Sequence, residues 1–433
     1  MNRTLTWWSA AGLVTALLVT GCGNGRPSPG ARQPTPTLVT APDSARVDLV
    51  EPTFADPTSI TNPRFPISQL TQVVQVGAEG DVALRHEITL LPQTRMIEWN
   101  GQQVETVVSQ FMAYGDGRIL EVATDFFAQA DDGSVWYFGE DVANYADGVL
   151  DNHDGTWLAG KDGPPGMIMP ADPQVGDVWR PENIPGFVFE EVTAKSITET
   201  VDGPQGPVSG ALLVEEMLMD GVLEDKIFAP GYGEFMARVG SEDELVNVSV
   251  GVPRDALAGG APAAVEAISA AAAGLVDAAA HWPAAQATVA DMSAAWDGYR
   301  SGELSPLTAD QIDRALERLR AGIDAQDETA TRQAAFDLAY AATDLLLRHQ
   351  TPAAADLARL DIAARRLGAD AVASDPAFVA GDVAAIQAIW NRVRHTVADP
   401  SAVDQSLEDL RAAVDAGDLG AASADDLRAQ LDS

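Results

Sequence analysis

Arg95-Met-Ile-Glu-Trp-Asn-Gly-Gln-Gln-Val-Glu-Thr-Val-Val-Ser-Gln-Phe-Met-Ala-Tyr-Gly-Asp-Gly117 decides the fold. Asn100-Gly101 and Asp116-Gly117 bracket the apolar run 104–111. Asn-Gly and Asp-Gly tolerate the positive φ angles that tight hairpins need. Asp132-Gly133 and Asp147-Gly148 continue the series, with apolar runs at 119–127 and 135–138 between them. Signals about 15 residues apart predict an antiparallel meander of strands some six to ten residues long. A second group of strands is expected at 211–219, 222–228, 234–239 and 245–250. The stretch between the groups, 155–187, is dense in Gly and Pro and reads as a long ordered loop.

Downstream the composition changes. Residues 253–262 are a Pro- and Gly-containing linker, and from Ala263 the chain is Ala-rich with marked helix starts. Thr308 with Gln311 reads as a capping box. Asp375-Pro376 and Asp399-Pro400 each put a capping carboxylate before a proline at the first helical position. Asp327 stands before another helix, and Leu316, Leu319 and Ile323 share a helical face. Residues 316–327 match residues 407–418 at eight of twelve positions. With further breaks at His281-Trp282-Pro283 and Ser374-Asp375-Pro376, the period predicts about four helical hairpins. These could close as a bundle or stack as a short solenoid; variable loop lengths favour the bundle. The fold class is therefore multidomain α+β. An antiparallel β domain (meander, curved sheet or half-barrel) covers 47–252, and an all-α hairpin domain covers 263–433.

The chain begins with one basic residue, Arg3, followed by an apolar run ending in Leu17-Leu18-Val19-Thr20-Gly21-Cys22. That is the pattern of an export signal, and Cys22 is the only cysteine. Val19-Thr20-Gly21-Cys22 resembles the lipobox of bacterial lipoproteins. The resemblance implies a signal peptide over 1–21, diacylglyceryl attachment to the Cys22 sulfur, and an extracytoplasmic chain held at the cell membrane. An uncleaved span over residues 4–25 is the alternative. Residues 22–46, rich in Pro, Gly, Ser and Thr, read as a tether, with packed sequence beginning near Val47. With Cys22 acylated, no intrachain disulfide can form.

The net charge is −37, with about −25 of it on residues 46–252. This opposes nucleic acid and anionic headgroups and favours cations or basic partners. Its simplest use is solubility. The bases are nearly all Arg; the lysines are Lys161, Lys195 and Lys226.

Asp131-Asp-Gly-Ser-Val-Trp-Tyr-Phe-Gly-Glu-Asp141 is the most distinctive segment. Trp157-Leu-Ala-Gly-Lys-Asp-Gly163, Val175-Gly-Asp-Val-Trp-Arg180 and Ala229-Pro-Gly-Tyr-Gly-Glu234 accompany it. Over roughly 60–250 these resemble a group of uncharacterised secreted bacterial proteins with a Trp-Tyr-Phe-Gly-Glu strand. The resemblance implies a shared β fold and brings no activity. Strand alternation puts Trp136 and Phe138 on one face and Tyr137 on the other. Gly139 is expected to end the strand and present Glu140 and Asp141. Aromatics beside carboxylates suit a sugar, amine or cation, so Trp136, Tyr137, Glu140, Asp141, Trp157, Asp177 and Trp179 are the candidate ligand-binding residues. Core packing and a solvated turn are the simpler account of them. Glu140, Asp141 and Asp177 could also pair for glycoside hydrolysis if they face one cleft.

Other motifs are incomplete. Residues 155–161 approach a phosphate loop, but Asp162 stands where Ser or Thr is required. Gly231-Tyr-Gly233 lacks the third glycine of a dinucleotide loop. The five histidines show no zinc-protease or di-iron spacing. Asp344, His349, Asp361 and His395 could converge on a metal, though helix capping and pairing with arginine are the simpler roles. Trp282, Trp296 and Trp390 suit helix packing. No cofactor, metal or nucleic acid is implied. The expectation is a non-enzymatic envelope protein, anchored to the membrane by lipid, that binds a partner protein or small ligand. A carrier of an amphipathic molecule and a carboxylate-dependent hydrolase are the alternatives.

Overall fold

The structure, a computed structural model, describes residues 38–239, 244–300, 304–418 and 424–431. The expected signal segment, Cys22 and most of the tether lie outside the described residues. Packed chain starts upstream of Val47: the Ala41 amide donates to Glu191 at 2.7 Å, and Arg46 bridges to Val178.

Five strands make up the first half of the sheet: β1 (Gln72–Glu79), β2 (Val82–Trp99), β3 (Gln102–Gly115), β4 (Arg118–Gln129) and β5 (Val135–Ala146), with a short β6 (Val149–Asn152) at its edge. Turns at Asn100-Gly101, Asp116-Gly117 and Asp147-Gly148 have both residues at positive φ, as a two-residue hairpin requires. At Asp132-Gly133 only Gly133 does; there the Asp132 carboxylate takes the Ser134 amide in a wider turn. β2–β5 run to 12–18 residues, longer than the expected six to ten. β2 accommodates Pro92 at a register shift between Leu90 and Thr94, where no ladder donor is needed.

β11 (Val188–Gly203), β12 (Gly206–Leu218), β13 (Leu223–Ala229), β14 (Gly233–Val239) and β15 (Glu244–Val252) form the second half. β15 pairs antiparallel with β1, joining the halves into one curved, unclosed sheet ordered from the two-residue β10 (Asn183–Ile184) through β11–β15 and β1–β5 to β6. The stretch expected as irregular loop contains short strands that pair with both ends of this sheet. β7 (Trp157–Leu158) and β8 (Gly166–Met169) lie on β5, while β9 (Val178–Trp179) lies on β11. The crossing segment thereby covers the concave side.

Among the described residues eight helices follow: α1 (Ala263–Ala278), α2 (Trp282–Tyr299), α3 (Pro306–Ala325), α4 (Glu328–Leu347), α5 (Pro352–Ala373), α6 (Pro376–Val393), α7 (Ser401–Ala416) and α8 (Ala424–Leu431). Asp327 and Asp375 cap α4 and α6 by accepting the amides of Ala330 and Phe378. Asp399 is not the cap: α7 starts at Ser401 with Pro400 at the N-cap position, and Asp399, one residue earlier, accepts the Ser401 amide. Thr308 is not a cap: α3 starts after Ser305, and the Thr308 hydroxyl instead meets Ser249 of β15 at 2.7 Å. α1 packs on α2, α4 and α5, and α5 on α6 and α8, so the hairpins close into bundles around two cores. The internal repeat is structural. Trp296 donates to Asp313 at 2.7 Å, and Trp390 to Asp404 at 2.8 Å; Arg300 and Arg394, one turn on, hold the same carboxylates.

The helices cover the convex face of β1–β4. Glu87 of β2 receives Arg392 at 2.6 Å and Arg85 at 2.7 Å. Asp344 of α4 takes Arg85 and Arg359, and Gln72 of β1 accepts from Arg359 at 2.7 Å. Asp356 also receives Arg359, so three carboxylates are buried with Arg359 and Arg392, and the partly buried Arg85 closes the cluster. With both faces covered, β3 is buried almost continuously from Thr106 to Gly115 instead of alternating.

Candidate functional site

The concave face of the sheet and the segment crossing it line a partly open cavity of about 100 Å³. Its wall is mainly apolar. Phe127 and Tyr137 stack with centroids 4.8 Å apart, and Phe65 meets Phe127 edge-on at 4.9 Å. Val73, Val214 and Phe228 continue the wall from strands on both sides of the β1–β15 seam. Trp179 of β9 closes it from the crossing segment.

One side of the cavity is charged. Lys226 of β13 is 4% exposed and contacts Glu216 of β12 directly. Glu224 lies 3.6 Å and Glu234 4.0 Å from its ammonium. Glu190 of β11 adds a further carboxylate to the wall, and Asp125 of β4 faces the cavity beside Tyr137. Register explains the grouping: Glu224 stands opposite Glu216, and Lys226 opposite Val214, so every second residue of β12 and β13 faces inward.

Burial controls the protonation of these groups. It pushes Glu224 and Glu234 up to about 7 against the pull of Lys226. Burial likewise raises Asp125 to about 7, partly offset by the hydrogen bond from the Tyr137 hydroxyl at 3.0 Å. Glu190 is raised well above the carboxylate range by burial and by Glu216. His86, whose ring meets Phe111, is lowered to about 4 by burial and Lys226, and is therefore neutral. Several wall atoms lack a hydrogen-bond partner: Glu190 Oε1, Glu234 Oε1, Ser109 Oγ and Trp179 Nε1.

Of the residues singled out in the sequence, Tyr137 and Trp179 line this cavity. Trp157 and Glu140 stand behind it. The Trp157 indole donates to Glu182 at 2.7 Å, and burial raises Glu182 to about 8. Glu140 is fully buried beside Glu182 and the Tyr137 hydroxyl. Burial and the nearby Glu182 hold it protonated, so its own proton bridges to Glu182. Trp136 and Phe138 do take the opposite face from Tyr137, and the Trp136 indole donates to Ser134. Gly139 does not end the strand, which continues to Ala146. At φ 114° it makes room for β7: a Cβ there would sit 2.3 Å from the Trp157 carbonyl oxygen. Asp141 is exposed and pairs with Arg95 at 2.9 Å, while Asp177 takes the Gln174 amide in a surface turn. Glu140, Asp141 and Asp177 thus do not share a cleft.

Sequence reasoning missed Lys226, Glu190, Glu216 and Glu234. A signal existed: Glu224, Lys226 and Phe228 alternate on one strand face, and Lys226 is a rare lysine in an arginine-dominated chain. Asp344 and Asp361 are engaged by arginines. Among the described residues no group of three or more His, Cys, Asp and Glu is arranged to hold a metal ion. No helix among them is long and apolar enough to cross a membrane.

Larger clefts lie between the sheet and the helices. In one of about 670 Å³, Arg314 and Arg318 are already paired with Asp310 and Asp337. Another, of about 990 Å³ near Phe235 and Leu304, adjoins segments outside the described residues. No protein-family model, curated protein or solved structure matches the chain.

Proposed function

We propose that this chain is a lipid-anchored extracytoplasmic envelope protein whose β domain is a non-enzymatic binding module, sheltering a small, largely apolar ligand inside its curved sheet. The observation that supports this is the cavity, apolar over most of its wall and edged by polar atoms without partners. A filled core has no such space, because interiors pack to the density of organic crystals. Sites for small molecules combine an apolar wall with a few placed polar groups. In this reading the helices are the brace: they cover the convex face and leave the concave face to the ligand. The anchor rests on the motif at Cys22.

Native mass spectrometry of residues 38–433 tests the binding role. A co-purifying organic mass, released on unfolding, is the expected result. An apo mass that stays unchanged after incubation with short amines, alcohols and fatty acids would count against it. Mass analysis of the N-terminal peptide tests the anchor separately: a diacylglyceryl Cys22 is expected, and Cys22→Ser should free the protein from the membrane fraction.

A further inference from the structure

We propose that the cavity is selective for a cationic amphiphile. Its ammonium or guanidinium end lies among Glu190, Glu216 and Glu234, and its apolar body lies against Phe65, Phe127 and Phe228. This rests on the reading of the β domain as a binding module and names the chemical class that the module takes.

Charge count is the first argument. Glu190, Glu216, Glu224 and Glu234 gather around a single ammonium, that of Lys226, and Asp125 lines the same space. His86 contributes no positive charge there. Burial keeps part of this cluster protonated, so a second cation is matched by carboxyls that ionise and release their protons as it binds. An anion would join several carboxylates in a low-dielectric space, where like charges repel far more strongly than in water.

The partnerless atoms are the second argument, and an independent one. Glu190 is 4% exposed, and its Oε1 has no donor; Glu234 Oε1 has none either. Ser109, also fully buried, has an unpaired hydroxyl on the same wall. Buried acceptors without donors are costly, and ligand N–H groups would satisfy these. An ammonium or guanidinium carries several N–H donors and no acceptor, which suits a wall so rich in acceptors.

Size sets the third limit. Cavities of ~150 Å³ hold one benzene ring. At about 100 Å³, this one is smaller and takes a short alkyl chain as the apolar body.

The test is isothermal titration calorimetry of the mature protein with three probes of matched length: hexylammonium, 1-hexanol and hexanoate. Hexylammonium should bind at one site, at least tenfold more tightly than hexanol, with hexanoate weakest. Binding should persist in 0.5 M NaCl, where ions on the acidic surface are screened away. Ammonium binding should release protons, read as a dependence of the heat on buffer ionisation enthalpy. Glu190→Gln, or Glu234→Gln should the first fail to fold, should cut hexylammonium affinity at least tenfold and leave hexanol unchanged. Hexanol or hexanoate binding as tightly as hexylammonium would overturn the cationic assignment while leaving the module intact. Silence from all three probes overturns the assignment, and the module is then judged by native mass spectrometry.

Discussion

Arg392 of α6 donates to Glu87 of β2 at 2.6 Å, with both side chains no more than 1% exposed and 305 positions between them in sequence. Arg85 and Arg359 complete a ring of three guanidiniums about that carboxylate. Together they hold Glu87 well below the ordinary carboxylate range despite its burial. Removing one partner from a buried pair leaves uncompensated charge and costs about 3–5 kcal/mol. Glu87→Gln should therefore lower the urea unfolding free energy by about 3 kcal/mol. The sign with pH follows from the depressed value: this stability is present above the unfolded value of about 4.3 and is lost as pH falls below it. Acid titration of the wild type should show that loss, and the variant should lack this part of it.

The carboxyls in and behind the cavity act in the opposite sense. Glu182 is raised to about 8, and Asp125, Glu224 and Glu234 to about 7. Between pH 4 and 8 the folded state therefore binds more protons than the unfolded chain, so stability falls as pH rises through that window. Each such proton contributes about 1.4 kcal/mol per pH unit while only the unfolded group is ionised. Urea unfolding of the ligand-free protein should show higher stability at pH 5 than at pH 8. Glu140→Gln removes one of these protons and gives Glu182 an amide donor. It should flatten the decline by about one proton and raise stability at pH 8. An unchanged slope would refute the shared-proton account of Glu140 and Glu182.

Gly139 is a sharper structural test. Its φ of 114° suits glycine, and any Cβ would meet the Trp157 carbonyl. Gly139→Ala should cost about 2–3 kcal/mol, from backbone strain and displacement of β7. Because Trp157 donates to Glu182, the displacement should also change tryptophan fluorescence. A control at Gly101, where added bulk meets nothing within 4 Å, should cost less.

Three of the meander's turns were legible because Asn-Gly and Asp-Gly pairs state a backbone requirement locally. Asp327 and Asp375 were legible as caps for the same reason. Full strand length was hidden by Pro92, which looks like a terminator and sits instead at a register shift. Glu87 and Gln110 look like solvent-facing residues, yet α6 reaches them from some 300 positions away. The cavity draws Tyr137, Glu190, Glu216 and Lys226 from four strands, and their meeting depends on sheet curvature and on β1 pairing with β15. Neither is encoded in a local pattern. Trp179 was visible as an aromatic, but its inward role depends on β9 pairing with β11.

The duplicated Trp–Asp pair in the helices offers the last prediction. Trp296 and Trp390 are each 1% exposed, and each gives its indole N–H to one carboxylate, Asp313 or Asp404. Losing the acceptor leaves a buried donor unpaired, at about 1–3 kcal/mol. The arginines on the same carboxylates are largely exposed, so their pairing contributes less than about 1 kcal/mol. Asp313→Ala and Asp404→Ala should each destabilise by about 1–3 kcal/mol, and Arg300→Ala and Arg394→Ala by clearly less. The two tryptophans belong to different cores, with no shared partner, so the double aspartate variant should lose the sum of the singles to within about 0.5 kcal/mol. Guanidinium unfolding followed by tryptophan emission measures all five variants. Equal losses from the arginine and aspartate substitutions would show that the ion pair, and not the indole hydrogen bond, is what the repeat preserves.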